Sequence, residues 1–360
     1  FPHEAASPQH DIYPGLVAEL EYRDRPQDGP TFAFVPFVRV DWYDSERSHA
    51  DVRELLWTGR VDRYEWRAGI GRVFWGVTEF YHLVDIVNQT DFVEDLDGEA
   101  KLGQSMVGLS SEHEWGVLAA YVLPGFRVRT FPGAEGRLQF APPVDTDQVS
   151  FETSKRRAHV DWALRWSTSG AGWDLGLSHF EGTSREPRFL PGFDANGQLA
   201  LIPHYDLIEQ TGVDAQTTLG DWLWKIEAIK RSGGGERFAA YTSGFEYTFV
   251  GIIGGRTDIG VIAEAMYDER GNRAPQFFQD DIGFGIRIGF NDVQSTQMLF
   301  GVVVDRDYST EIWKIEGSRR LNEKWKISLE GRRFKDVSAN DVVFGLRQDS
   351  YLQLAIAFHF

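Results

Sequence analysis

Apolar and polar residues alternate with period two along most of this chain. Residues 282–290 show it most sharply: Ile282, Phe284, Ile286, Ile288 and Phe290 fall on one parity, and Gly283, Gly285, Arg287 and Gly289 on the other. Successive side chains of an extended strand point to opposite faces, so such a stretch has one greasy face and one small or charged face. The same reading applies to residues 16–23, 32–42, 64–71, 158–166, 173–178, 221–228, 239–249, 324–330 and 351–360. In residues 115–123 the parity holding Trp115, Val117, Ala119, Tyr121 and Leu123 is taken as the apolar face, although its partner parity is small or apolar too.

What each face touches decides the fold class. A water-soluble sandwich also alternates, with its polar face outward and its apolar face in a dry core. Here the polar parity carries Arg, Lys, Glu, Asp and Gly on strand after strand, while Trp, Tyr and Phe gather near the ends of the apolar parity. That is the pattern of a wall with lipid outside and water within. We therefore expect an all-β chain forming a single transmembrane antiparallel β-barrel, with a soluble propeller or sandwich as the alternative. Segmentation gives seventeen strands. A bacterial single-chain barrel has an even number, so about sixteen are expected (14–18), with one of the ill-patterned stretches 49–60 and 105–111 discounted. Residues 1–14 read as a periplasmic or lumenal N-terminal segment and 15–360 as the barrel. Residues 76–104 interrupt it as an inserted segment, and 124–156 form a long loop; shorter connections are expected on the periplasmic side.

Composition narrows the possibilities. None of the apolar runs reaches the ~18–20 residues of a membrane helix, so a spanning chain must satisfy its backbone in a closed barrel. The 26 Phe, 12 Tyr and 12 Trp suit aromatic girdles, and 37 Gly suit turns and strands. With no cysteine, disulfides and thiolate sites are excluded, and a net charge of −17 argues against nucleic acid as a partner. The start Phe-Pro-His-Glu reads as a mature form after removal of a signal peptide.

The last strand, Tyr351 to Phe360, is closed by Phe358 and Phe360 on its apolar parity. It resembles the final strand of Gram-negative outer-membrane β-barrels of the porin type. That resemblance implies an outer-membrane location, contact with outer-membrane lipids and lipopolysaccharide, and recognition by the barrel-assembly machinery through Phe358 and Phe360. A second resemblance covers residues 69–106, through Gly71, Arg72, Trp75, Gly76, Asp85, Asn88 and Asp91. These are similar to a segment of poorly characterised outer-membrane barrels related to porins and exporters. There a strand ending in Gly-Arg-Gln leads to Trp-Gly-Glu or Trp-Gly-Asp and an Asp-x-x-Asn-x-x-Asp-like turn. Val73 replaces the usual amide, and Gln89 stands where such families often have Pro.

These readings point to a porin-like channel for small solutes, with loops folded into the lumen. The pore-lining or constriction candidates are Arg39, Glu65, Arg67, Arg72, His82, Asp85, Asp91, Arg165, Lys225, Arg287, Lys314, Lys326 and Arg332. Rows of facing charge set ion preference in such pores. Phe37 and Phe180 are aromatic lumen candidates, and they keep open a closed or plugged barrel acting as hydrophobic-ligand conduit or scaffold. Residues 77–92 are read either as a pore constriction or as an outer loop. Glu79, His82 and Asp85 are weighed as metal ligands and set aside on spacing, so neither a metal nor a cofactor is expected. The acidic run 94–99 reads as a solvated loop, or else as a seat for calcium or lipopolysaccharide-bound cations. An outer-membrane hydrolase would need a nucleophile beside His179 or His204; without a Gly-x-Ser-x-Gly elbow, the chain is read as a non-enzyme. An oligomer is possible.

Overall fold

The computed structural model describes residues 1–3, 9–27 and 29–360. Twenty-one strands and three short 3-10 turns make up its regular structure. The first half contains β1 (Gly15–Glu19), β2 (Tyr22–Asp24), β3 (Thr31–Asp41), β4 (His49–Val61), β5 (Tyr64–Gly71), β6 (Gln104–His113), β7 (Gly116–Pro124), β8 (Ser150–Phe151), β9 (Val160–Gly170) and β10 (Trp173–Thr183). Then come β11 (Arg188–Phe193), β12 (Leu199–Tyr205), β13 (Leu207–Leu219), β14 (Trp222–Gly233), β15 (Phe238–Ile253) and β16 (Thr257–Asp268). The chain ends with β17 (Asp280–Gly289), β18 (Gln297–Asp305), β19 (Glu311–Arg320), β20 (Trp325–Lys335) and β21 (Tyr351–Phe358).

Eighteen of these strands form one antiparallel sheet, in which, from β3 onward, each pairs with the sheet's next strand along the chain. Both β1 and β2 pair with β3, through Leu16↔Val40 and Tyr22↔Phe34, so together they fill one position interrupted at Leu20 and Glu21. Counted this way the sheet has seventeen positions. The two stretches that sequence reasoning distrusted, 49–60 and 105–111, are both strands, so discounting one of them was wrong. Nor is the sheet laced shut: among the described residues, no ladder joins β1 or β2 to β21. Strands β8, β11 and β12 make a separate three-stranded sheet.

The wall buries its polar parity and exposes its apolar one. Trp224 is 45% exposed, Phe284 51% and Ile356 59%, whereas the alternate residues Glu227 and Glu264 are 0% and 2% exposed. Two-residue turns at 171–172 and 220–221 place Gly172 and Gly220 at φ +83° and +64°, the left-handed region that glycine tolerates. Every connection longer than seven residues lies at the opposite rim. Phe1 and Tyr13 also lie there, Phe1 beside Tyr351 and the Tyr13 hydroxyl donating to Glu135 O.

One wall segment is inverted relative to the sequence reading. In β7, Leu118 and Val122 are exposed, while Tyr121 and Leu123 are 7% and 0% exposed and face inward. Both parities of β7 are apolar, so period two could not orient it. The inner parity is apolar here because it meets a dry surface rather than water.

Candidate functional site: the inward-folded segment

That dry surface belongs to residues 72–103, between β5 and β6. Val84 and Val87 are fully buried, and Trp75, Leu83 and Ile86 nearly so, packed with Tyr121, Leu123, Phe180, Ile208 and Ile229 of the wall. On another side, Phe80 lies over Gly283, Gly285 and Gly301 of β17 and β18. A Cβ at Gly283 would come within 2.5 Å of the Phe80 ring, so glycine makes room for it. Contacts with strands from β3 to β20 show that the sheet curls around this segment.

Backbone groups without a ladder need partners when buried, and two wall carboxylates supply them. Glu227 of β14 accepts from the Val77 and Thr78 amides and the Thr78 hydroxyl through Oε1, at 2.7 to 3.1 Å, and from the Val84 amide through Oε2 at 3.1 Å. Glu264 of β16 accepts from the Glu79 and Phe80 amides at 2.8 to 3.0 Å. Gly76 allows the close approach: a Cβ there would lie 2.9 Å from His82 Nδ1 and 3.1 Å from Glu227 Oε1.

The segment's sequence motif is its internal fastening. The Asn88 side chain accepts from the Val73 amide and donates to Gly71 O and Leu102 O, all within 2.9 Å. Asp85 accepts from the Trp75 amide and pairs with Lys101 at 3.0 Å. Asp91 accepts from the Thr130 hydroxyl and meets Arg53 of β4 at 2.6 Å. Trp75 is stacked under the Arg165 guanidinium, which is itself held by two bonds to Asp214.

The acidic run 94–99 is not a solvated loop. Glu94 forms a two-bond pair with Arg39 of β3. Asp97 takes Lys314 of β19 at 3.0 Å and Arg332 of β20 at 2.6 Å, and Arg332 also reaches Asp95 at 3.4 Å. Glu99 meets His82, whose other nitrogen faces Glu227 at 3.5 Å. Burial opposes a charge on His82, but Glu227 and Glu99 outweigh it and push its pKa up to about 10. For Asp95, burial and the neighbouring Asp97 raise the pKa to about 8, against the pull of Arg332.

The remaining charged candidates make ordinary ion pairs or stand in the open. Arg67 pairs with Glu65 at 2.9 Å, Arg72 lies 3.5 Å from Glu54, and Lys225 lies 3.8 Å from Glu246. Arg287 bridges Glu79 and Glu246 at 2.5 and 3.4 Å, while Lys326 stands opposite Ala357. Phe37 lies under Arg53, and Phe180 under Arg185. Phe358 and Phe360 are exposed at the end of β21.

Glu79, His82 and Asp85 do not converge, since each has a different partner. Sequence reasoning singled out Asp91 and the run holding Glu94 separately but missed His49 and the convergence of the three, whose ligand atoms lie within 4.8 Å of one another. Arg53 already neutralises Asp91 and Arg39 already neutralises Glu94, so this cluster is a charge network rather than a cation cage. Ser150, His204 and Asp206 also form a chain, at 2.8 and 3.2 Å. The ring turns Nδ1 to the serine and Nε2 to the carboxylate, the reverse of a hydrolase triad, and Arg188 takes both oxygens of Asp206. The chain ties β8 to β12.

No family model and no curated protein sequence matches the chain. Solved structures do. One is Wzi of Escherichia coli, described as an outer-membrane protein of group 1 capsule assembly and a carbohydrate-binding β-barrel; the TM-score is 0.56 at 10% identity, over 95% of this chain and 77% of that one. OpdQ of Pseudomonas aeruginosa gives 0.53 at 11% identity, over 96% and 91%. A BenF-like porin of Pseudomonas fluorescens gives 0.52 at 8%, over 96% and 91%. The fold is that of outer-membrane barrels. At such identities the likeness extends to architecture and not to solute.

Proposed function

We propose that the protein is a narrow porin-like channel of the bacterial outer membrane, in which residues 72–103 set the aperture for small solutes. The observation that carries this reading is the segment's suspension across the lumen. Asp91 is tied to Arg53 on one wall, Thr78 to Glu227 on a second, and Asp97 to Lys314 and Arg332 on a third. The partly exposed inner charges below it, such as Glu65, Arg67 and Arg287, would then meet the solute, and Phe358 and Phe360 would serve assembly. The dry contact of Trp75, Val84 and Val87 with the wall favours a second reading, a permanently plugged barrel serving as ligand conduit or scaffold.

Planar-bilayer recordings separate the two. The channel reading predicts small single-channel steps for the unaltered protein and several-fold larger ones for a Glu227→Ala, Glu264→Ala double variant. Silence from the unaltered protein with steps from the variant would favour the plug. Silence from both would contradict the channel.

A further inference from the structure

The two edges of the sheet carry an inference that goes beyond its permeability. Among the described residues, strands β1 and β21 each pair on one side only, with β3 and β20 respectively. All five residues of β1 are exposed, as are Leu352 through Phe358 of β21, on both parities. A cavity of about 1180 Å³ opens between them, lined by Leu16, Val17 and Glu19 on one side and by Leu352, Leu354 and Ile356 on the other, and it runs inward to Phe92 and Leu96 of the enclosed segment.

Strand direction says what fits there. Every ladder in the large sheet is antiparallel and connects strands consecutive around it, so with seventeen positions the first and the last run the same way. Joined directly, they would make the one parallel pair of the wall. A single added strand running the other way would be antiparallel to both, would bring the wall to an even count, and would satisfy the free amide and carbonyl groups that lipid cannot. The eight residues of β21, at about 3.3 Å each, span about 26 Å, the height of the apolar band. Leu16, Leu352, Leu354 and Ile356 border the gap on the outer face. On the inner face Gln353, Ala355 and Ala357 leave room, and Glu19 has no ion-pair partner among the described residues.

We propose that this seam is a strand-acceptor site: it takes one extended peptide strand, antiparallel to both edges. The strand's apolar parity faces outward, and its small or basic parity faces the lumen beside Glu19. The recognition is β-augmentation on two edges at once. The proposal rests on the wall being membrane-spanning, and not on whether the lumen conducts.

Because the protein has no native cysteine, paired substitutions test it in the full chain. Leu16→Cys is combined with Leu352→Cys, with Leu354→Cys or with Ile356→Cys. Leu16→Cys with Val40→Cys, a registered pair across β1 and β3, is the positive control. An intervening strand holds the edges about 9.6 Å apart, beyond disulfide reach. The control should therefore close and the seam pairs should not. In parallel, amide exchange is followed at β1 and β21 with and without a synthetic peptide of residues 325–335, the natural antiparallel neighbour of β21, and with a scrambled version. The proposal predicts that the edges are either already protected in the purified protein or gain at least tenfold protection from the peptide but not from its scramble. A seam disulfide would overturn it, because the edges would then close on each other. Exchange that stays fast with the peptide present would also overturn it, leaving an open portal to lipid.

Discussion

The wall and the segment it encloses obey opposite rules of burial. Along β14 and β17 the large apolar side chains, Trp224 and Phe284 among them, are exposed, while Glu227 is fully buried. In residues 72–103 the large apolar side chains lie inside as in a soluble core, Val84 and Val87 among them, and the buried acids Asp85 and Asp91 are held by Lys101 and Arg53. Hydrophobic pattern alone therefore reports no direction; it reports a direction only once the surrounding phase is known. The two regions meet where wall carboxylates bond to segment amides, and those contacts hold the segment in place.

The largest effect is expected at Glu227. Glu227→Ala removes the acceptor for three backbone amides and the Thr78 hydroxyl and strips His82 of a counter-charge. Breaking one side of a buried charged network costs about 3–5 kcal/mol, and the loss should appear in denaturant unfolding and as protease cleavage within 77–92. Next comes the lipid face: Phe284→Arg at mid-wall should cost about 2–4 kcal/mol in refolding into bilayers, whereas Arg is already tolerated on the inner face at residue 287. Asn88→Ala leaves the Val73 amide and two carbonyls unpaired in the core of the segment. At about 1–3 kcal/mol for each strongly felt loss, it should loosen 72–103 while leaving the wall's strand content unchanged by circular dichroism.

Near neutral pH the smallest effect is a pH dependence confined to the segment. The pKa of His82 is raised in the folded protein to about 10, so its contribution is whole below 6.5 and is lost as pH rises through about 10. Asp95 has its pKa raised to about 8, so the segment also loses stability as pH climbs from about 4 to 8. Proteolysis of 77–99 should accelerate on both accounts as the medium becomes alkaline, and His82→Gln should flatten the upper part of that profile.

Much of the wall was legible in the sequence, because period two survives wherever one parity is charged or small, as at 158–166 and 282–290. It failed at 115–123, where Tyr121 and Leu123 turn inward onto Trp75 rather than outward to lipid. A local pattern does not encode what a strand faces across the lumen. The same limit hid the partners of the acidic run. Asp97 and Arg332 are 235 residues apart, and their pairing exists only because the sheet curls. The quoted motif was visible, but its work was not. Asp85, Asn88 and Asp91 fasten the segment itself, which spacing alone presents equally well as a turn or a ligand set.

The claim beneath all of this is that the apolar parity touches hydrocarbon and the charged parity touches water. Single nitroxide labels placed in turn at residues 244 through 249 of β15, in liposomes, test it most directly. The account predicts a period-two profile in which Phe245, Tyr247 and Phe249 are accessible to dissolved oxygen, and Gly244, Glu246 and Thr248 to a water-soluble nickel chelate. The opposite phase, or equal exposure of every position to the chelate, would contradict it.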